Sequence, residues 1–263
     1  MPEGHTVHRA ARRQTTLLGG GPVRASSPQG RFADGAAALD GIVLRRVEAV
    51  GKHLFYRFAG DEVLHVHLGL FGRFREHPAG GPPDPRGAIR LRLTGERGAI
   101  DLSGPTACEL VGEDGREAIL TRLGPDPLRA DADGERAVAD LARRRVPIGA
   151  ALLDQSIVAG LGNVYRAEVL FVCGVAPARE SRSVPVADLT AIWDTSVRML
   201  RDGVRRGRIV TVDPAEVGRP VSRMRRHERT YVYKQDLCKR CGTPIAAIVL
   251  GARPCYWCPV CQT

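Results

Sequence analysis

The stretch GPDPLRADADG, Gly124–Gly134, divides this chain. Two prolines, two glycines and three aspartates surround one large apolar residue, Leu128, which is the composition of a linker. The periodicity on its two sides differs. Ahead of it, from Gly41 to Glu76, the segments IVLRRVEAV, HLFYRF and EVLHVHL are short, rich in branched and aromatic residues, and separated by glycine, as β-strands are. Further strands are expected over Ala88–Thr94 and near Ala99–Leu102, after a loop at Pro78–Gly87, PAGGPPDPRG. Near the start, Val7, Ala10, Ala11 and Leu18 share one face of a helix. Beyond the divide the pattern turns helical, over Glu135–Arg145, Ile148–Ser156, Val164–Cys173 and Val186–Gly203. Arg219–Arg229 reads as an ordered basic connector. The expected fold is α+β in two domains: a helix plus β-sandwich over 1–124, a linker at 125–134, a helical part over 135–229 and a small cysteine module over 230–263.

The 263 residues are 43% hydrophobic, enough for packed cores, and the longest apolar runs, such as Ala246–Leu250, are far too short to span a bilayer. Met1–Gly20 carries charge throughout and has no apolar centre, so it does not read as a secretory signal. An intracellular protein that uses no membrane is expected. The formal charge of +10 favours a polyanionic partner, because each neutralised phosphate releases condensed counterions. Arg201–Arg240 concentrates that charge, with 12 Lys/Arg against five acids. Lysine is scarce: Lys52 is alone in the first 233 residues.

Four constellations carry chemistry. Cys238-x2-Cys241 and Cys258-x2-Cys261 supply four thiolates, a donor set that suits one structural zinc with no open position. The residues between them fit a β-hairpin presenting Arg253, and Cys255 reads as a spare thiol or a small buried residue. Leu152–Leu170, LLDQSIVAGLGNVYRAEVL, reads as two helices around a tight turn. Gly160, Gly162 and Asn163 there could grip a phosphate, or Asn163 could simply cap the second helix. At the amino terminus, removal of methionine would leave Pro2 as a free secondary amine with an appreciable neutral fraction near neutrality. Attack on a sugar's anomeric carbon would form an iminium, and Glu3 stands beside it to pass protons. Finally, Gly51-Lys52-His53 lies between two strands, ahead of His67-Leu68-Gly69-Leu70-Phe71-Gly72. Leu70 and Phe71 could be core residues or a wedge that enters a base stack. The seven histidines show no metal-ligand spacing and read as structural or surface groups.

Taken in order, PEG, GKHL, HLGL, LLDQ…AGLGNVY…EVLF and CKRCGTPI…RPCYWCPVCQ resemble the family that contains formamidopyrimidine-DNA glycosylase and endonuclease VIII, over the whole chain. The resemblance implies a bifunctional DNA glycosylase and AP lyase of base excision repair, acting on damaged DNA as a monomer in the bacterial cytoplasm, at the nucleoid. It implies a catalytic N-terminal domain, a helix-two-turn-helix domain and a zinc finger, with one structural Zn and no small-molecule cofactor. DNA would be kinked in a cleft between the domains and the damaged nucleotide flipped out. Pro2 would be the nucleophile, Glu3 the general acid, and Lys52 the group in the catalytic set that holds phosphates around the lesion. Asn163 and Arg253 would contact flanking phosphates, and Leu70-Phe71 resembles the endonuclease VIII wedge. Asp101–Glu109, DLSGPTACE, stands where the 8-oxoguanine branch typically has DPRRFG, and Gly149 where that branch has lysine. With a finger similar to that of endonuclease VIII, these departures favour oxidised pyrimidines and β,δ-elimination. Gly69 departs from the polar wedge residue usual in that branch. The alternatives are an 8-oxoguanine type of glycosylase and a catalytically silent DNA-binding relative. A sequence-reading transcription factor is disfavoured, because phosphate contacts position a protein without reading bases.

Overall fold

A computed structural model describes residues 2–78 and 82–263. Met1, whose removal the proline chemistry requires, and Ala79–Gly81 of the expected loop lie outside the described residues. The chain folds as two compact units, the first ending at Arg122 and the second beginning at Leu123.

In the first unit, α1 (Gly4–Leu18) buries Val7, Ala11 and Leu18 at three- and four-residue spacing, with Ala10 half-buried. Then follow β1 (Gly21–Pro22), β2 (Arg24–Ser26), α2 (Ala33–Leu39), β3 (Val43–Val50), β4 (His53–Phe58), β5 (Val63–His67), β6 (Arg73–Pro78), β7 (Ile89–Gly95), β8 (Gly98–Ser103), β9 (Ala107–Leu110) and α3 (Gly112–Leu120). They form two antiparallel sheets, ordered β1-β3-β4-β5-β9 and β2-β7-β8-β6. Alternate residues of each sheet, among them Leu54, Tyr56, Leu64, Val66, Leu91, Leu93, Ile100 and Leu102, meet in one core that α1 completes. The expected helix plus β-sandwich is present.

The second unit contains α4 (Gly134–Ala142), α5 (Ile148–Ala151), α6 (Asn163–Val172), α7 (Val186–Arg206) and α8 (Pro214–Val217), then the hairpin β10 (Ala246–Leu250) and β11 (Arg253–Trp257). Two local expectations differ. The helix expected over Ile148–Ser156 stops at Ala151, because polar side chains take over the backbone bonding. Asp154 Oδ1 accepts from Ser156 N, Gly160 N donates to Gln155 Oε1, and Gln155 Nε2 donates to Leu153 and Leu161 carbonyls. Within the proline-rich dividing stretch, Gly124–Pro127 is buried and belongs to the second unit. There Gly124 N donates to Gln155 O and Ala159 N to Pro125 O. Pro125 and Pro127 bring no N–H, so burying this backbone leaves fewer donors to satisfy. The cysteine hairpin likewise shares its core with helical residues, Cys255 and Val232 packing with Ala167 and Phe171 of α6.

Candidate active site

Pro2 lines a cavity of about 490 Å³ in the first unit, with Thr6, Arg9 and Arg13 of α1 on one side and Leu68, Gly72 and Arg73 on the other. Glu3 occupies the N-cap of α1 in extended conformation, with no exposed surface, and its carbonyl accepts from Thr6 N and Val7 N at 2.9 and 3.3 Å. A carboxylate there meets the positive end of the helix dipole. The same cavity adjoins the β5–β6 turn, so the proline and the two ends of that turn, Leu68 and Gly72, are brought together. Leu70 is 53% and Phe71 84% exposed, which removes the core alternative for both. Gly69 has φ +62°, and a Cβ on it would lie 1.8 Å from Thr106 Oγ1. A side chain there would have to displace Thr106 from a strained left-handed position, so glycine suits it and the apolar tip of the turn is Leu70-Phe71.

Lys52 sits half-buried on the two-residue β3–β4 turn, where Gly51 takes φ +59° as such hairpins require. Three of the histidines surround this end of the sheet. His53 Nδ1 and His65 Nε2 are 2.9 Å apart, His65 Nδ1 and Glu109 Oε1 are 2.9 Å apart, and the His53 and His67 rings lie 4.8 Å apart. Burial, then His67, His65, Arg122 and Lys52, push His53 down to about 3, and burial lowers His67 as well. The sequence offers the alternation His53, His65, His67 along two strands, but pairing across the sheet is what assembles it.

In the second unit the Sγ atoms of Cys238, Cys241, Cys258 and Cys261 all lie within 4.8 Å of one another, with Cys238–Cys261 at 3.8 Å and Cys241–Cys258 at 3.5 Å. Sulfurs bound tetrahedrally at zinc distances stand about 3.8 Å apart, so the set fits one zinc. With four thiolates the ion is structural. Cys255 is outside the set, fully buried on β11.

Asn163 opens α6, and its Nδ2 donates to Pro254 O at 3.0 Å, so it ties the helix to the hairpin as well as standing at the helix start. Arg253 begins β11, half-buried, across from Leu250. Sequence reasoning missed two neighbours. Arg166, fully buried, donates from Nη1 to Gly149 O at 3.0 Å and Leu250 O at 2.9 Å, and from Nη2 to Asn163 Oδ1 and, more weakly, to the Arg253 and Pro254 carbonyls. Glu168, equally buried, accepts from the amides of Tyr231, Val232 and Tyr233 at 2.7–2.9 Å and from Thr211 Oγ1. Burial raises its carboxyl against the pull of those donors. The available signal was two charges inside the otherwise apolar run VYRAEVLFV.

Three family descriptions match in order: the formamidopyrimidine-DNA glycosylase N-terminal domain over 1–107, its H2TH domain over 123–214, and the zinc finger found in FPG and IleRS over 236–263. Endonuclease 8 1 of Mycobacterium tuberculosis is 47% identical over 269 residues, with both chains fully covered. This chain belongs to the formamidopyrimidine-DNA glycosylase and endonuclease VIII family. Formamidopyrimidine-DNA glycosylase of Geobacter sulfurreducens is 32% identical, over 85% of this chain and 83% of that one, so the likeness is greater on the endonuclease VIII side. The fold matches a crystal structure of the Lactococcus lactis glycosylase in complex with N7-benzyl-Fapy-dG DNA, with TM-score 0.81, 23% identity and full coverage of both chains. Members of the family are DNA glycosylases with AP lyase activity, and this chain is such an enzyme of base excision repair. None of the described helices is long and apolar enough to cross a membrane.

Proposed function

We propose that this enzyme excises oxidised pyrimidines from DNA through the amine of Pro2 and then cleaves the strand by β,δ-elimination. The observation that carries the reading is Pro2 on an open cavity directly beside the buried, helix-capping Glu3. With Met1 removed, the neutral secondary amine attacks C1′ of the damaged nucleotide. The glycosidic bond breaks, the base leaves with its electron pair and a proton, and Glu3 protonates the sugar oxygen as the ring opens. The resulting iminium acidifies C2′–H, so that the 3′ phosphate and then the 5′ phosphate are expelled. Hydrolysis of the remaining iminium by water releases the sugar fragment as an aldehyde and frees Pro2.

Around that chemistry Lys52, Asn163 and Arg253 anchor phosphates, and Leu70-Phe71 fills the space left by the flipped nucleotide. The functional divisions are a catalytic part before the dividing stretch, then the helix-two-turn-helix and the zinc finger, acting as a monomer at the bacterial nucleoid. Zinc, held by Cys238, Cys241, Cys258 and Cys261, stiffens the hairpin that presents Arg253. Two features support pyrimidines over 8-oxoguanine. Asp101–Glu109 is spent on the ends of β8 and β9 with only Gly104–Thr106 between them, and Asp101 is engaged by Arg92 Nε at 2.6 Å. The greater likeness to an endonuclease 8 relative points the same way.

Borohydride trapping on duplexes carrying thymine glycol, 8-oxoguanine or an abasic site tests the reading. A covalent adduct, strongest on thymine glycol and lost in Pro2→Gly, is expected. Binding without any adduct, from protein shown by mass to lack Met1, would leave a DNA-binding relative without the chemistry.

A further inference from the structure

Glu109, His65 and His53 stand on three neighbouring strands, β9, β5 and β4, with Glu109 directly opposite His65 and His53 opposite His67. All point away from the sandwich core, which takes the intervening Leu54, Val66 and Cys108. The carboxylate sets the direction at one end. A carboxylate only accepts, so His65 donates from Nδ1 to Glu109 Oε1 at 2.9 Å. In the His65 tautomer that donates from Nδ1 alone, the lone pair lies on Nε2, and the 2.9 Å contact there is a hydrogen bond donated by His53 Nδ1. His53 Nε2 is left as the unprotonated nitrogen, next in sequence to Lys52. The ring planes agree with this bonding: His53 and His65 lie nearly coplanar, 20° apart with centroids at 5.1 Å, and His65 lies 5.3 Å from Phe55 at 24°.

We propose that Glu109, His65 and His53 form a positioning relay that locks the Gly51-Lys52 turn and keeps a neutral, Nδ1-protonated His53 beside Lys52. The proposal rests on the reading of Lys52 as a phosphate anchor. The charged and titratable groups acting on His53 are Lys52 on the turn, His65 and His67 on β5 and Arg122 after α3, with Glu109 on β9 reaching it through His65. One step further along the same face, Arg116 lies 5.7 Å over Phe55 and pairs with Glu48 and Glu113. In this setting of cations a positively charged ring would repel the lysine, and a ring free to rotate would loosen the turn. The relay prevents both, and its outer end, Glu109, is more than half exposed, where it can be changed without opening the core.

The test combines a direct readout with a binding cycle. Nitrogen-15 NMR of labelled full-length protein is expected to show His53 and His65 as Nδ1–H tautomers near neutral pH. Glu109→Ala should abolish the preference in both rings, and Glu109→Gln, whose amide oxygen still accepts, should restore it. Affinity for a duplex with a tetrahydrofuran abasic-site analogue should fall about tenfold in Lys52→Ala, within the range expected of a charged phosphate contact. It should fall severalfold in Glu109→Ala, and that second loss should vanish in the Lys52→Ala background. An Nε2–H tautomer at wild-type His53, or losses that simply add, overturns the relay. If Lys52→Ala leaves affinity unchanged while the tautomers are as expected, the phosphate-anchor reading is at fault and the relay's role in binding falls with it.

Discussion

Glu3 shows how position suits one residue to the work proposed for it. Its carboxyl is buried at the first turn of α1, beside a proline on the cavity wall. Glu3→Gln keeps the shape and removes the transferable proton, so single-turnover excision of thymine glycol is expected to fall by about 10²–10⁴. Unchanged excision would show that another group supplies the proton. Two histidines carry a stability consequence. Burial lowers His5 to about 4 and His53 to about 3, against about 6.5 in an unfolded chain. The unfolded state therefore binds more protons in between, so their contribution is fully present above pH 6.5 and is lost as pH falls towards 3–4. Urea titrations at pH 7.5 and 4.5 should show a lower midpoint at the acid end, and His53→Phe should reduce the difference. Pro2 and Glu3 are legible in the sequence because they sit at the chain terminus. His53, His65 and Glu109 are not, since only strand register places residues 12 and 44 positions apart in contact.

At the scale of elements, α6 governs the cysteine hairpin. Arg166 joins the Gly149, Leu250, Arg253 and Pro254 carbonyls, and Asn163 joins Pro254 as well. Arg166→Met removes a buried cation and leaves these acceptors unsatisfied, a change expected to cost about 3–5 kcal/mol. The loss should appear as a lower Tm together with weaker DNA binding, and full retention of both would show that the clamp is dispensable. The turn at Gly69 makes a second case. Gly69→Ser must clear Thr106 from a left-handed backbone position, so Tm should drop and Leu70-Phe71 should be displaced. The helix boundaries near Ile148–Ser156 escaped periodicity for a related reason. Asp154, Gln155 and Ser156 satisfy local backbone groups themselves and end the helix early, although the apolar spacing continues through them.

For the whole molecule, two units with separate cores imply separable responses. Removing zinc with a chelator, or Cys258→Ser, should loosen the hairpin and the third core it shares with α6, weakening DNA binding, while the β-sandwich stays folded. Hydrogen exchange that stays slow over β4, β5, β7 and β8 and quickens over 230–263 is the expected pattern. Loss of protection throughout would mean that the units unfold as one.

The sequence by itself determined the change from strand to helix periodicity, the four-cysteine donor set, the terminal proline beside a glutamate and the basic charge. Each is local, set by spacing of a few residues or by composition. Tertiary structure decided the rest. It packed a linker-like stretch into the second unit through backbone bonds to Gln155 and Ala159, and left Cys255 outside the four sulfurs that converge within 4.8 Å of one another. It also gave Arg166 and Glu168 their backbone partners. A buried charge or an unsatisfied amide is resolved by whichever group the fold brings within about 3 Å, and spacing along the chain does not encode that distance.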